Sequence, residues 1–190
     1  MAVVITDRIP VPGYVPAAIL ELPFSLKLPL FFIVEDFGLY WVHRLMHTRH
    51  VWRVHKWHHS PTYMYWFAGV LATFPHCVLF NLPFILALPI LYGAPSFIFV
   101  LILVEHIFRN DWMHMNVTWK SDWLEWVAVT PRYHHIHHSA VSEHHVANLG
   151  SLLTIWDHIF GTYVNPQTAK TPLSFGTGEK DSPWRVIVGI

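Results

Sequence analysis

The chain has 190 residues, 53% of them hydrophobic and only 13% charged, with 12 Lys and Arg against 12 Asp and Glu. That apolar excess disfavours a disordered chain or an ordinary soluble enzyme, and the even charge balance leaves no basic field for a nucleic-acid partner. The single cysteine, Cys77, excludes an intramolecular disulfide, a thiolate zinc site and an iron–sulfur cluster, so any metal is held by nitrogen or oxygen, and 16 histidines supply the nitrogen.

Taken in chain order, Pro10, Pro12, Pro16, Pro23 and Pro29 interrupt the stretch from Ile9 to Leu30, and Glu21 and Lys27 lie inside it. An interfacial or re-entrant segment is expected there rather than a spanning helix, and the start lacks the pattern of a secretory signal. From Leu28 to about His50 the sequence reads as a helix, apolar at its beginning and polar towards its end. Between Lys56 and Glu105 there is no Asp, Glu, Lys or Arg, a run long enough to cross a bilayer core of about 30 Å twice. It reads as a hairpin with a first limb from about Trp66 to Leu91, a turn at Tyr92-Gly93-Ala94-Pro95 and a second limb from Ser96 to Phe108, ending near Arg109. Pro75, Pro83 and Pro89 predict kinks in the first limb.

Arg44, Arg49, Arg53 and Lys56 precede the hairpin and Arg109, Lys120 and Arg132 follow it, so both flanks are expected on the cytoplasmic side. Trp41, Trp52, Trp57, Trp112, Trp119, Trp123 and Trp126 sit near the proposed boundaries, as in an interfacial belt. Further on, Thr130-Pro131 is a helix start, with Thr as the cap and Pro at the first helical position, which predicts helix over Tyr133 to Ser139. The tail from Asn165 to Pro183, rich in Pro, Thr, Ser and Gly, reads as loop.

The histidines are clustered. His43 and His47 are four apart on one helix face, and His55, His58 and His59 follow at i, i+3 and i+4, a pattern that His134, His137 and His138 repeat. The groups bracket the hairpin, which brings them to one side. Eight imidazoles exceed the four positions of one tetrahedral zinc, so two metal ions are expected. Asn110 and His114, four apart where the second limb emerges, are weaker candidates for the same site.

Neutral imidazoles beside lipid suit oxidation of hydrocarbon, whereas hydrolysis would want a nearby carboxylate, and Glu143-His144-His145 has the wrong frame for a zinc peptidase. Asp36 and Tyr40 share the phase of His43 and His47 and are candidates to orient an imidazole; Asp157 is another, or a cap of its local turn. His50, His76, His106, His144 and His145 have no spacing that ties them to the site, and His135 lies about 100° from His134 and is expected to point elsewhere.

The series from Asp36 through His43-Arg44-Leu45-Met46-His47, then His55-Lys56-Trp57-His58-His59-Ser60, then Thr130-Pro131-Arg132-Tyr133-His134-His135-Ile136-His137-His138-Ser139, closing with Asn148-Leu149-Gly150 and Trp156-Asp157-His158-Ile159-Phe160-Gly161-Thr162, resembles the fatty acid hydroxylase / sterol desaturase superfamily from about Val34 to Tyr163. The resemblance implies one all-α domain over residues 1–190 with its core at about 34–163 and a loop-rich tail at 164–190. It implies an integral, multi-pass membrane protein, with a transmembrane helical stem and a cytosolic helical cap holding a dimetal site. It also implies two iron ions, dioxygen as co-substrate and a lipid such as a sterol or fatty acyl lipid as substrate. Carried over by position, the implied ligands are His43, His47, His55, His58, His59, His134, His137 and His138, with His114 as an additional histidine and Asn110 in a motif like that of the related acyl desaturases.

The short, proline-broken amino-terminal region departs from larger relatives. With no His-Pro-Gly-Gly sequence and no ferredoxin cysteines, electrons are expected from a separate protein. Two rival readings stand beside this one: a membrane metal-binding protein without catalysis, and a carotenoid hydroxylase, for which Asn110 to His114 is a poor match to the paired-histidine motif expected there.

Overall fold

A computed structural model describes residues 11–117, 119–169, 173–178, 182 and 184. Proline sets where the first helices begin. Pro16 precedes the short α1 (Ala17–Leu20), and Pro23, with extended backbone, precedes α2 (Phe24–Met46). Helix α2 therefore starts before the expected Leu28 and carries Pro29 within its early turns; its 23 residues extend about 34 Å.

The expected first limb is not one helix. A 3-10 turn at Trp66–Val70 is followed by a break, and Thr73 then caps α4 (Phe74–Ala87) by accepting the His76 backbone N–H at 3.2 Å. A 3-10 turn (Leu88–Leu91) and a reversal at Gly93, with φ of 81°, lead to α5 (Ser96–His114). Helix α5 continues beyond Arg109, aided by the Glu105–Arg109 pair one turn apart at 3.2 Å. Helix α3 (Trp52–His55) lies between α2 and this hairpin.

After α5 come α6 (Asp122–Glu125), α7 (Pro131–His137), a 3-10 turn at Ser142–Val146 and α8 (Ile155–Phe160), which ends at Gly161 with φ of 70°. The Thr130-Pro131 start of α7 is as expected, with Thr130 Oγ1 accepting the Tyr133 N–H at 3.2 Å. Among the described residues there is no strand, only isolated bridges at Ala128–Leu153 and Ser139–Phe175.

Helix α2 packs closely on α4, because Gly38 faces Pro83 where a Cβ would lie 2.8 Å from the proline Cβ. At the reversal, Phe31 of α2 joins Ala87, Ile90, Leu91, Ala94, Ile98 and Ile102 in one apolar cluster, and Lys27 Nζ donates to the Tyr92 carbonyl at 2.9 Å. Towards the histidines the same three helices surround a cavity of about 300 Å3. Polarity is inverted across these helices: Val100 and Leu103 of α5 are 60% and 61% exposed while Glu35 and Asp36 of α2 are fully buried. Among the described residues one helical stretch, Phe74–Leu91, is long and apolar enough to cross a membrane.

Candidate metal centre

Nine histidines from four stretches of the chain converge in two groups. The first holds His43 and His47 from the end of α2, His55 and His59 from α3 and the turn after it, and His137 from α7; the second holds His58, His114, His134 and His138. Within each group one ring nitrogen per residue lies within 4.8 Å of the others. The groups share a wall, with the His59 and His138 rings stacked at 4.3 Å. Each of the nine sequence-predicted histidines is brought into one group or the other, and no carboxylate belongs to either among the described residues.

Backbone carbonyls orient the rings. The Nδ1 atoms of His43, His58, His114 and His137 lie 2.8, 3.2, 2.6 and 2.9 Å from the carbonyl oxygens of Leu149, Leu71, Asn110 and Ala147. A carbonyl only accepts, so each of these Nδ1 atoms donates, and each Nε2 of a neutral ring is left with a bare lone pair. His58 Nε2 and His114 Nε2 nevertheless face each other at 3.2 Å, and His134 Nε2 lies 3.3 Å from His114 Nε2. His47, His59, His134, His137 and His138 each leave at least one ring nitrogen buried without a hydrogen-bond partner. Facing lone pairs and orphaned buried nitrogens are unfavourable by themselves and are relieved by cations, so the residues present fit metal ions.

Protonation does not supply the missing charge. Burial, followed by neighbouring histidines, holds His55, His58, His59, His134, His137 and His138 well below the ordinary imidazole range. They are neutral near pH 7, the form that ligates metal.

Asp157 is the hub behind the carbonyls. Its carboxylate accepts from Tyr133 Oη at 2.5 Å, from the backbone N–H groups of Leu149 and Gly150 at 2.8 Å each, and from Thr162 Oγ1 at 2.6 Å. Asn148, at φ of 53°, adds Nδ2 bonds to the carbonyls of Tyr133 and Val164. The expectation that Asp36 or Tyr40 touches an imidazole is corrected. Asp36 accepts from the Leu152 and Leu153 N–H groups and Trp156 Nε1, whereas Tyr40 bonds Thr162 Oγ1 and Arg44. Asp36 acts on the loop that follows the Leu149 carbonyl, and Tyr40 on Thr162 just after α8, rather than on a ring, because the segments flanking α8 occupy the space beside α2.

Asn110 holds His114 through its carbonyl, and its amide lies over Gly69, where a Cβ would approach it to 2.3 Å. His135 points away, as expected, with its ring edge-on to Phe175. His76, expected to stand apart, does not: its Nδ1 is 3.1 Å from His55 Nδ1 and its ring is 5.3 Å from that of His58. Its spacing from the other histidines gives no sign of this, since the contact depends on where Thr73 starts α4. His145, also expected apart, packs its ring on Trp52 and anchors Nε2 to the Ser139 carbonyl at 2.8 Å.

The cavity between α2, α4 and α5 is lined by His43, His58, His114 and His134, which opens both groups to it. Its wall also carries Phe80, Phe84, Leu39 and Met113, together with Glu35, His106 and Arg109.

A family profile described as fatty acid hydroxylase matches residues 28–162. The chain is 33% identical to an ornithine lipid hydroxylase of Rhizobium tropici, over 76% of this chain and 44% of that relative. It is 28% identical to an alkylglycerol monooxygenase of Xenopus tropicalis, over 77% of this chain and 33% of the relative. To a methylsterol monooxygenase of Arabidopsis thaliana it is 26% identical, over 72% of this chain and 47% of the relative. The chain thus spans under half the length of these relatives, and no solved structure matches it.

Proposed function

The chain belongs to the fatty acid hydroxylase family, and on that premise we propose that it is a membrane-embedded di-iron oxidoreductase that hydroxylates or desaturates a lipid. The observation that carries the reading is the pair of lone pairs on His58 and His114, held 3.2 Å apart by carbonyls that fix both tautomers. Nitrogen-only sites suit several transition metals, but the relatives named as monooxygenases and hydroxylases favour iron.

In this reading His43, His47, His55, His59 and His137 hold one ion, and His58, His114, His134 and His138 hold the other. Asn110 supports His114 through its carbonyl and its amide lines the same cavity. Bound iron supplies the redox chemistry with dioxygen that an unactivated C–H bond requires. Either outcome consumes one dioxygen and two electrons from a separate donor protein: hydroxylation leaves one oxygen atom in the product and one in water, and desaturation leaves both in water.

The chain's own residues do the rest. Carbonyls of Leu71, Asn110, Ala147 and Leu149 keep the ligating nitrogens deprotonated and aimed, while Leu39, Phe80, Phe84 and Met113 give the cavity an apolar wall that accepts an alkyl segment and excludes water. In this reading helices α2, α4 and α5 form the stem across the bilayer and the histidine-bearing cap lies on the cytoplasmic side, which the positive flank of Arg44, Arg49, Arg53 and Lys56 supports.

The test is iron content and turnover of the purified full chain in nanodiscs with a reductase and a cell lipid extract. Two irons per chain and a dioxygen-dependent lipid product are expected. Iron at or below one per chain after reconstitution, with no lipid altered, overturns the reading. Metal that loads and exchanges freely, with no redox change under reductant and dioxygen, would favour a non-catalytic metal-binding protein instead.

A further inference from the structure

Arg109 lies on α5 and lines the cavity into which the histidines open. It is 7% exposed, and its Nη2 donates to Glu35 Oε1 at 3.1 Å while Nε pairs with Glu105 Oε1 at 3.2 Å. Its Nη1 is buried with no hydrogen-bond partner. A guanidinium donor left without an acceptor among apolar helices is costly, and Arg109 borders a cavity from which an acceptor can be supplied.

The surrounding charges narrow what that acceptor is. His106 Nδ1 lies 2.7 Å from the Ile102 carbonyl and Nε2 lies 2.8 Å from Glu35 Oε1, so both nitrogens face oxygens and both carry hydrogens. Two cations, Arg109 and His106, then balance two carboxylates, Glu35 and Glu105. These pairs leave Arg109 no net positive charge to offer an anionic headgroup, whereas a neutral oxygen completes its donor set.

We propose that Arg109 Nη1 binds the lipid substrate through a neutral hydrogen-bond-accepting oxygen, of an ester, ether or hydroxyl group, and thereby sets which carbon reaches the imidazoles. This rests on the cavity being the substrate site of the lipid oxidoreductase proposed above. Arg109 is a specificity-determining residue in that scheme, and the cavity discriminates against plain hydrocarbon and against free carboxylates.

The test needs no turnover. Radiolabelled octadecane, hexadecyl methyl ether and hexadecanoate, matched in heavy-atom count, are partitioned between empty nanodiscs and nanodiscs carrying the metal-loaded full chain. The ether should bind about tenfold more tightly than either competitor. In Arg109→Lys, which keeps a cation beside Glu35, that preference should fall to near unity with metal content unchanged. The charge-matched double variant E35Q/R109Q serves if Arg109→Lys fails to load metal. Equal binding of ether and hydrocarbon by the wild type, tighter binding of hexadecanoate, or a preference that survives in a metal-loaded variant overturns the proposal. Failure of the oxidoreductase reading is distinguishable: it leaves the ether preference intact but gives no dioxygen-dependent product.

Discussion

His76 shows how a residue without motif spacing enters a metal centre. If His55 ligates through Nε2, which faces His43 Nε2 at 3.1 Å, its Nδ1 carries the hydrogen and donates to His76 Nδ1 at 3.1 Å. His76 then does for His55 what carbonyls do for His43, His58, His114 and His137. His76→Ala is accordingly expected to weaken iron binding by about 10–100-fold and slow turnover in proportion. His137→Ala and His58→Ala, which remove proposed ligands outright, should lower iron content further and abolish product. Iron titration followed by metal analysis separates these cases, and wild-type affinity in His76→Ala would remove the positioning role. The sequence shows eight clustered histidines, and the Asn110–His114 pair, because i, i+3 and i+4 spacing is local, but His76 and the carbonyls of Leu71, Ala147 and Leu149 are placed by contacts between elements that no local pattern records.

At the scale of elements, the cap is held by a loop clamped from two sides. Asp36 on α2 takes the N–H groups of Leu152 and Leu153, and Asp157 on α8 takes those of Leu149 and Gly150. The carbonyl of Leu149 between them is the acceptor for His43. Asp157→Asn sets an amide NH2 against donors at a fully buried position and is expected to cost about 2–3 kcal/mol. Its urea midpoint should fall, and its iron affinity should fall with it because His43 loses its fixed carbonyl. A variant destabilised to that extent with unchanged iron affinity would uncouple the clamp from the metal centre. Helix α7 was legible from Thr130-Pro131 because a cap and a first-turn proline act locally. The break at 71–73 was not, since an uncharged run shows apolarity without showing where Thr73 restarts the helix, and the start of α2 at Phe24 is hidden because Pro23, Lys27 and Pro29 crowd its first turns.

For the molecule as a whole, the metal-free protein should be acid-sensitive. Burial holds His135 at about 4 and six histidines of α7 and the α3 region, His55, His58, His59, His134, His137 and His138, well below their ordinary 6.5. The unfolded chain takes up protons below about pH 6.5 that the folded chain refuses, so stability is full above that pH and is lost as pH falls towards the folded values. Thermal melts of chelator-treated protein at pH 7.5 and 5.5 should show the lower midpoint at 5.5, and equal midpoints would contradict neutral buried rings. The inverted polarity of the stem carries a second expectation. Val104 is 56% exposed midway along α5, on the side opposite the buried Arg109, and forms part of an apolar surface too extensive for a water-facing protein. If lipid covers that surface, Val104→Arg adds about 2.5–3.5 kcal/mol to insertion, whereas Ser142→Arg, on the exposed 3-10 turn of the cap, adds nothing comparable. Alkaline carbonate washing of cell membranes should retain the wild type and Ser142→Arg and release or deplete Val104→Arg. Release of the wild type by carbonate would mean that the apolar faces are covered by protein rather than by lipid.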